Sequence, residues 1–370
     1  MHGITLTKAP ADWEILQQEN GKATVALKGN FQVHPAAIEV GVERVTPVVR
    51  VMSEDDNMTV IPWTNADHFT CNEKFQGEFE VTLEIPAGGP YRIDTSLETK
   101  STVPDLTWLY RGDCVLHLGV GNLFIIAGQS NSAGYSRDFC IDPPSMDVHL
   151  YRNRNKWDIA SHPMNESTFA GSLANEEMGV PGVSPYLAFG KTYGKMTGMP
   201  VGLIQTSLGG SPMERWNPKD GDLYLNMLDK IHQTGGKYAG VLWYQGCSDT
   251  NPGPAEKYLE HFREYVEATR KELGYEIPFF TMQLNRQING INDECWGMVR
   301  DAQARAAKEI PGVSVLTTSN LSLCDGIHNT AQANVALGEK LAKQCAHVLN
   351  GKEEYQPPEL VKVERADEAE

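Results

Sequence analysis

The chain has 370 residues, with 32 Lys and Arg against 48 Asp and Glu and a formal net charge of −16. Nucleic acid and anionic membrane surfaces are both held by clustered Lys and Arg, so this balance excludes them as partners. The length predicts two domains, each large enough for a core of its own.

The first twenty residues, MHGITLTKAPADWEILQQEN, contain no apolar leader core, and no uncharged apolar run approaches the ~18 residues of a membrane span, so a cytoplasmic protein is expected. The seven cysteines lack paired spacing and fit a reducing compartment. With no CxxC or Cys/His cluster, neither a metal nor any other cofactor is expected. Residues 1–112 read as an all-β, sandwich-like domain. Residues 79–85, FEVTLEI, alternate strictly and put Phe79, Val81, Leu83 and Ile85 on one buried face. Strand-like runs at 24–28, 38–42 and 48–52 are separated by Gly, Pro and Asn at the spacing of a sandwich. Glu54-Asp55-Asp56, the densest acidic cluster, lacks the spacing of a calcium loop and reads as a solvated turn. Trp13, Trp63 and Trp108 read as packing residues in preference to sugar-stacking platforms. If two copies of the chain associate, this domain is the expected surface.

From residue 113 to 351 strands and helices alternate, the pattern of an α/β fold with a doubly wound parallel sheet. The run 123–127, LFIIA, is a short continuous apolar strand that stops at Gly128. Such strands are buried on both faces, and ligands bind in the crevice at their carboxyl ends, which puts Ser130 at the mouth of a cleft. Gly119-Val120-Gly121 does not make a dinucleotide loop, because Phe124 stands where the third glycine belongs and the run precedes the strand. Ser184-Pro185 starts a helix that Gly198 ends. Strands at 201–206, 240–245, 278–284 and 313–318, a helix over 254–273 and a closing helix over 331–349 complete the pattern. Residues 352–370 form a polar tail.

A serine hydroxyl is a weak nucleophile and needs a base with an orienting acid. One segment supplies both. In Cys324-Asp325-Gly326-Ile327-His328-Asn329 the aspartate stands three residues before the histidine, close enough to hold the imidazole from behind and fix its tautomer. The catalytic set is therefore Ser130, His328 and Asp325. Ser130 at a helix start also offers its own backbone N–H to a developing oxyanion. The sequence around it is not Gly-x-Ser-x-Gly, which argues against an α/β-hydrolase elbow. Cys247 has no neighbour that lowers its pKa and reads as a small packed thiol.

Four blocks, Gly128-Gln129-Ser130-Asn131, Leu208-Gly209-Gly210-Ser211, Trp243-Tyr244-Gln245-Gly246 and Asp325-x-x-His328, resemble in this order the blocks of the SGNH hydrolases. More narrowly they look like the branch of sialate O-acetylesterases and acetyl xylan esterases, over roughly residues 113–349. The resemblance implies a flavodoxin-like α/β/α three-layer sheet preceded by a β domain. It also implies a serine esterase that removes O-acetyl groups from carbohydrate, and an oxyanion hole formed by Ser130, Gly210 and Gln245. Gln129, Asn131, Trp216, Tyr244 and Asn329 lie beside the blocks as candidate substrate-binding residues, and Arg300 and Gln303 resemble an Arg-x-x-Gln support of the same branch. One position departs from the pattern: Cys247 stands where the branch usually has glutamate, and Asp249 is the nearby carboxylate that could stand in for it. The alternatives are an esterase or lipase for non-sugar esters and a catalytically silent sugar-binding protein.

Overall fold

A computed structural model describes residues 2–39, 41–102, 105–288 and 290–350; the expected polar tail lies outside them. The N-terminal part contributes β1 (Gly3–Lys8), β2 (Ile15–Gln17), β3 (Lys22–Gln32), α1 (Pro35–Glu39), β4 (Val42–Ser53), β5 (Thr59–Asn65), β6 (His68–Phe69), β7 (Gln76–Pro86) and β8 (Gly88–Thr102). Strands β1, β3, β7 and β6 form an antiparallel sheet, and β5, β4 and β8 pair antiparallel in another. Alternation in β7 does what a half-buried strand requires: Phe79, Val81, Leu83 and Ile85 are buried, and they share one core with Val49, Val51, Ile93 and Leu97 of the other sheet. The strand expected at 38–42 is corrected. Pro35 carries a φ already suited to a helix, the His34 ring accepts the Ala36 N–H at 3.1 Å, and the chain makes the short helix α1 before pairing begins at Val42.

The joint between the two halves is a single strand. β9 runs from Asp105 to Gly128, and its 24 residues cross the expected division at 112/113 with no linker. Its first part pairs antiparallel with β8, and its last part is the centre of a parallel sheet. Burial changes along it accordingly, from alternating exposure to an unbroken buried run from Leu118 onward.

The remaining elements are α2 (Ser130–Ala133), β10 (Val148–Tyr151), β11 (Trp157–Ile159), α3 (Tyr186–Thr197), β12 (Val201–Gln205), α4 (Asp222–Gln233), β13 (Gly240–Tyr244), α5 (Pro254–Leu273), β14 (Phe279–Met282), α6 (Asp293–Glu309), β15 (Val313–Leu316) and α7 (Ala331–Leu349). The strand order is β11-β10-β12-β9-β13-β14-β15, parallel except for β11. Alternate residues of β9 serve opposite cores. Ile125 and Ala127 pack with residues of α4, α5 and α6, whereas Phe124 and Ile126 pack with residues of α3 and α7. The fold is mixed α/β, with a large mixed sheet of eleven strands and seven helices among the described residues. No described helix is long and apolar enough to cross a membrane.

Candidate active site

β9, β12 and β13 end side by side, and the turn after β9 is shaped by Gly128. Its φ is +133°, and a Cβ there would stand 2.2 Å from the Tyr244 carbonyl oxygen, so only glycine lets the strands lie this close. The chain then enters α2, in which Ser130 is the first residue and 4% exposed. A first-turn N–H has no partner within its helix, which leaves the Ser130 N–H available to a ligand.

His328 comes from the loop between β15 and α7, and Asn131 fastens that loop to the turn that carries Ser130. The Asn131 amide donates to the Ile327 carbonyl and accepts the Asn329 N–H, both at 3.1 Å. Across this junction Ser130 Oγ lies 2.9 Å from His328 Nε2, and Asp325 Oδ2 lies 2.6 Å from His328 Nδ1. Residues 198 positions apart are thus in hydrogen-bond contact. The other oxygen of Asp325 accepts the N–H groups of Ile327 at 2.9 Å and His328 at 2.7 Å. Burial alone would raise this carboxyl's pKa, but those backbone donors and the imidazole hold it below the usual range. An ionised Asp325 receiving Nδ1–H leaves the Nε2 lone pair facing the serine hydroxyl.

The expected oxyanion donors separate into two cases. Gly210 lines the cavity at Ser130 with φ +67°, and no protein acceptor takes its N–H among the described residues. Its neighbour Gly209 donates to Glu177 Oε2 at 2.8 Å. Gln245 is corrected. Both of its amide hydrogens are engaged inside the protein, by Ser211 O at 3.1 Å and by Asp249 Oδ2 at 2.5 Å, so the donor expected from it points away from a bound ester. Asp249 is no stand-in for a glutamate at 247. It is 4% exposed and also accepts the Met213 N–H.

The expected substrate contacts are mostly corrected too. Trp216 is fully buried against Trp243 and Tyr265; Tyr244 is buried and its hydroxyl receives the Asn329 amide at 3.2 Å. Asn329 is fully buried and also bonds Asn285 and Asn334, and Asn131 is spent on the histidine loop. Gln129 does line the cavity, and its side-chain oxygen accepts the Gly246 and Ser248 N–H groups at 2.9 and 3.2 Å. Gln303 braces the wall by donating to the Gln245 carbonyl at 2.9 Å, and Arg300 bonds the Leu284 carbonyl.

The cavity holds about 760 Å³ and draws a wall from residues 173–179, an irregular stretch with no motif that points to a site. Leu173 and Met178 form an exposed apolar rim. Inside it Glu177 accepts the Tyr135 hydroxyl at 2.6 Å, and the Tyr135 ring lies 5.3 Å from the His328 ring at 30°. Burial, and then Glu177, push the Tyr135 hydroxyl's pKa far up, so it stays a donor. Cys247 also lines the cavity; burial pushes its thiol up to about 12, which keeps it protonated and poorly nucleophilic at neutral pH. Among the described residues no cluster of metal-ligating side chains occurs.

Comparisons with known proteins place the chain in a family. A family described as carbohydrate esterase, sialic acid-specific acetylesterase, matches residues 120–347. A protein named probable carbohydrate esterase from Arabidopsis thaliana is 26% identical over 245 residues, 60% of this chain and 88% of that protein. The crystal structure of the same Arabidopsis protein superimposes with a TM-score of 0.53 at 25% identity, covering 61% of this chain and 98% of that one. A carbohydrate acetylesterase from Xanthomonas citri superimposes with a TM-score of 0.55 at 20% identity, covering 94% of this chain and 76% of that one. With Ser130, His328 and Asp325 inside the matched span, the chain belongs to the carbohydrate esterase family of sialic acid-specific acetylesterases.

Proposed function

We propose that the protein is a serine esterase that removes O-acetyl groups from carbohydrate, with Ser130 as nucleophile. The observation that carries this reading is the continuous chain from Ser130 Oγ through the His328 ring to Asp325, with Ser130 and His328 lining an open cavity. Ser130 Oγ attacks the acetyl carbonyl while His328 Nε2 takes its proton, and Asp325 offsets the positive charge that appears on the ring. The Ser130 and Gly210 N–H groups receive the oxyanion, a contribution of about 10²–10³ in rate for one such donor. His328 returns the proton to the departing sugar hydroxyl. It then deprotonates the water that releases acetate.

A small acyl group is what the chain's place among carbohydrate esterases favours. The wider cavity mixes carboxylates and Arg215 with the apolar rim, a lining suited to a sugar bearing many hydroxyls. The residues before β9 act in this reading as a support built on the same strand as the nucleophile. The test is acetate release from acetylated xylooligosaccharides and O-acetylated sialic acid by the wild type and Ser130→Ala. Release by the wild type and none by the variant is expected. Hydrolysis of long-chain p-nitrophenyl esters together with inert acetylated glycans would overturn the proposal.

A further inference from the structure

Three arginines meet on the outward face of the β5-β4-β8 sheet. β4 turns Val49 and Val51 into the core and Arg50 outward, and β8 turns Ile93 and Leu97 inward and Arg92 and Asp94 outward. Arg50 stands opposite Asp94 in the β4–β8 ladder, and Arg111 of β9 stands opposite Ser96. With Trp63 of β5 they line a depression of about 310 Å³ that shares no lining residue with the catalytic cavity.

Asp94 receives Nε of both Arg50 and Arg92 at 2.8 Å, and a second Arg92 nitrogen at 3.3 Å. The Arg50 guanidinium lies 4.6 Å from the centroid of the Trp63 ring. That contact covers the indole face, removing it as a platform for a sugar ring, and fixes the plane of the guanidinium. Three guanidiniums against one carboxylate leave two positive charges in one depression of a chain whose net charge is −16. Each guanidinium carries five N–H donors, and a single aspartate cannot satisfy three of them. The Arg111 guanidinium has no hydrogen-bond or ion-pair partner among the described residues.

Planar forks held in place select planar, doubly accepting anions, above all carboxylates. We infer that this depression binds the carboxylate of an acidic sugar residue, so that the protein grips an anionic unit of a glycan apart from the esterase centre. The inference rests on the chain's place among carbohydrate esterases and not on the Ser130 chemistry, so the two fail separately.

The test is calorimetric titration of the full chain with a xylooligosaccharide carrying a glucuronic acid branch, with the unbranched oligosaccharide and with inorganic phosphate. The acidic oligosaccharide is expected to bind saturably, at least about tenfold more tightly than the neutral one, and less tightly at high salt. Arg111→Ala and Arg92→Ala should each weaken it about tenfold, the worth of one charge-assisted hydrogen bond, with hydrolysis of p-nitrophenyl acetate unchanged. Equal binding of the neutral oligosaccharide, affinity unaltered in both variants, no saturable binding, or phosphate binding as tightly as the acidic sugar would each overturn the inference.

Discussion

Glu177 takes the Gly209 N–H at 2.8 Å, while the next amide, at Gly210, has no protein acceptor among the described residues. The same carboxylate receives the Tyr135 hydroxyl and the Asn165 amide, so one half-buried hub ties the Gly209-Gly210 turn to the ring that flanks His328. Glu177→Gln keeps one acceptor oxygen and turns an NH₂ toward a donor. It is expected to lower kcat by about tenfold with KM nearly unchanged, the worth of one net hydrogen bond. Steady-state kinetics with p-nitrophenyl acetate and an acetylated oligosaccharide check it. A raised KM at constant kcat on the sugar alone would make Glu177 a substrate contact and not a brace.

Asp325→Asn should lower kcat by about 10²–10⁴ without unfolding the chain, because the amide no longer fixes the tautomer that exposes Nε2 to Ser130. The pH dependence follows from the direction of the Asp325 shift. Its carboxyl is held below the ordinary value of 3.8, so it is charged above that value and loses its charge only as pH falls through the lower, folded-state pKa. The ratio of wild-type to variant kcat is therefore expected to hold steady on the alkaline plateau, where the imidazole is neutral in both proteins and Asp325 stays charged. A plateau kcat undiminished in Asp325→Asn would mean that Asp325 is not the partner that orients His328.

The parts of this site that could be read from sequence are those set by short-range spacing. Asp325 and His328 sit in one turn, and the run from Leu123 to Ala127 ends where a parallel strand must end. The remainder depends on which way a strand residue faces. Trp243 and Tyr244 are adjacent, so they enter opposite cores, and closeness to Gln245 in sequence says nothing of exposure to the cavity. The expected boundary at 112/113 falls inside β9, whose burial becomes continuous at Leu118 and whose partners change from β8 to β12 and β13 between Val120 and Phe124. Glu177 lies in an irregular stretch without periodicity, and only tertiary folding brings it to Gly209.

Gln245 and Asp249 form one buried pair, which predicts how their variants behave together. Gln245→Ala strands the Asp249 carboxylate, and Asp249→Ala strands the Gln245 amide and the Met213 N–H, so each should cost about 1–3 kcal/mol of stability. Because both break the same contact, the double variant should be less destabilised than the two single losses added together. Denaturant melts of the four proteins measure this. A kcat loss of about 10²–10³ in Gln245→Ala that Asp249→Ala does not share would return Gln245 to the oxyanion hole.

Lys230 on α4 is 1% exposed, and its ammonium meets the Arg152 carbonyl and the Asn153 side-chain oxygen, both at 3.4 Å, and lies 5.9 Å from the centroid of the Tyr151 ring. Burial brings its pKa down to about 7, well under the ~10.4 of an unfolded lysine. Between those two values the unfolded chain binds the proton that the folded chain has released, so this residue's contribution makes stability rise with pH from about 7 toward 10; below that window the fold must carry a desolvated charge. Lys230→Met removes the titration and keeps most of the packing volume. The variant should exceed the wild type in stability by a few kcal/mol at about pH 6, with the gap closing as pH approaches 10. Urea midpoints for both proteins at several pH values across that range isolate the lysine, since every other titrating group is common to the two. Parallel stability curves would show that Lys230 keeps its proton in the folded protein and that its environment is more polar than its two long contacts indicate.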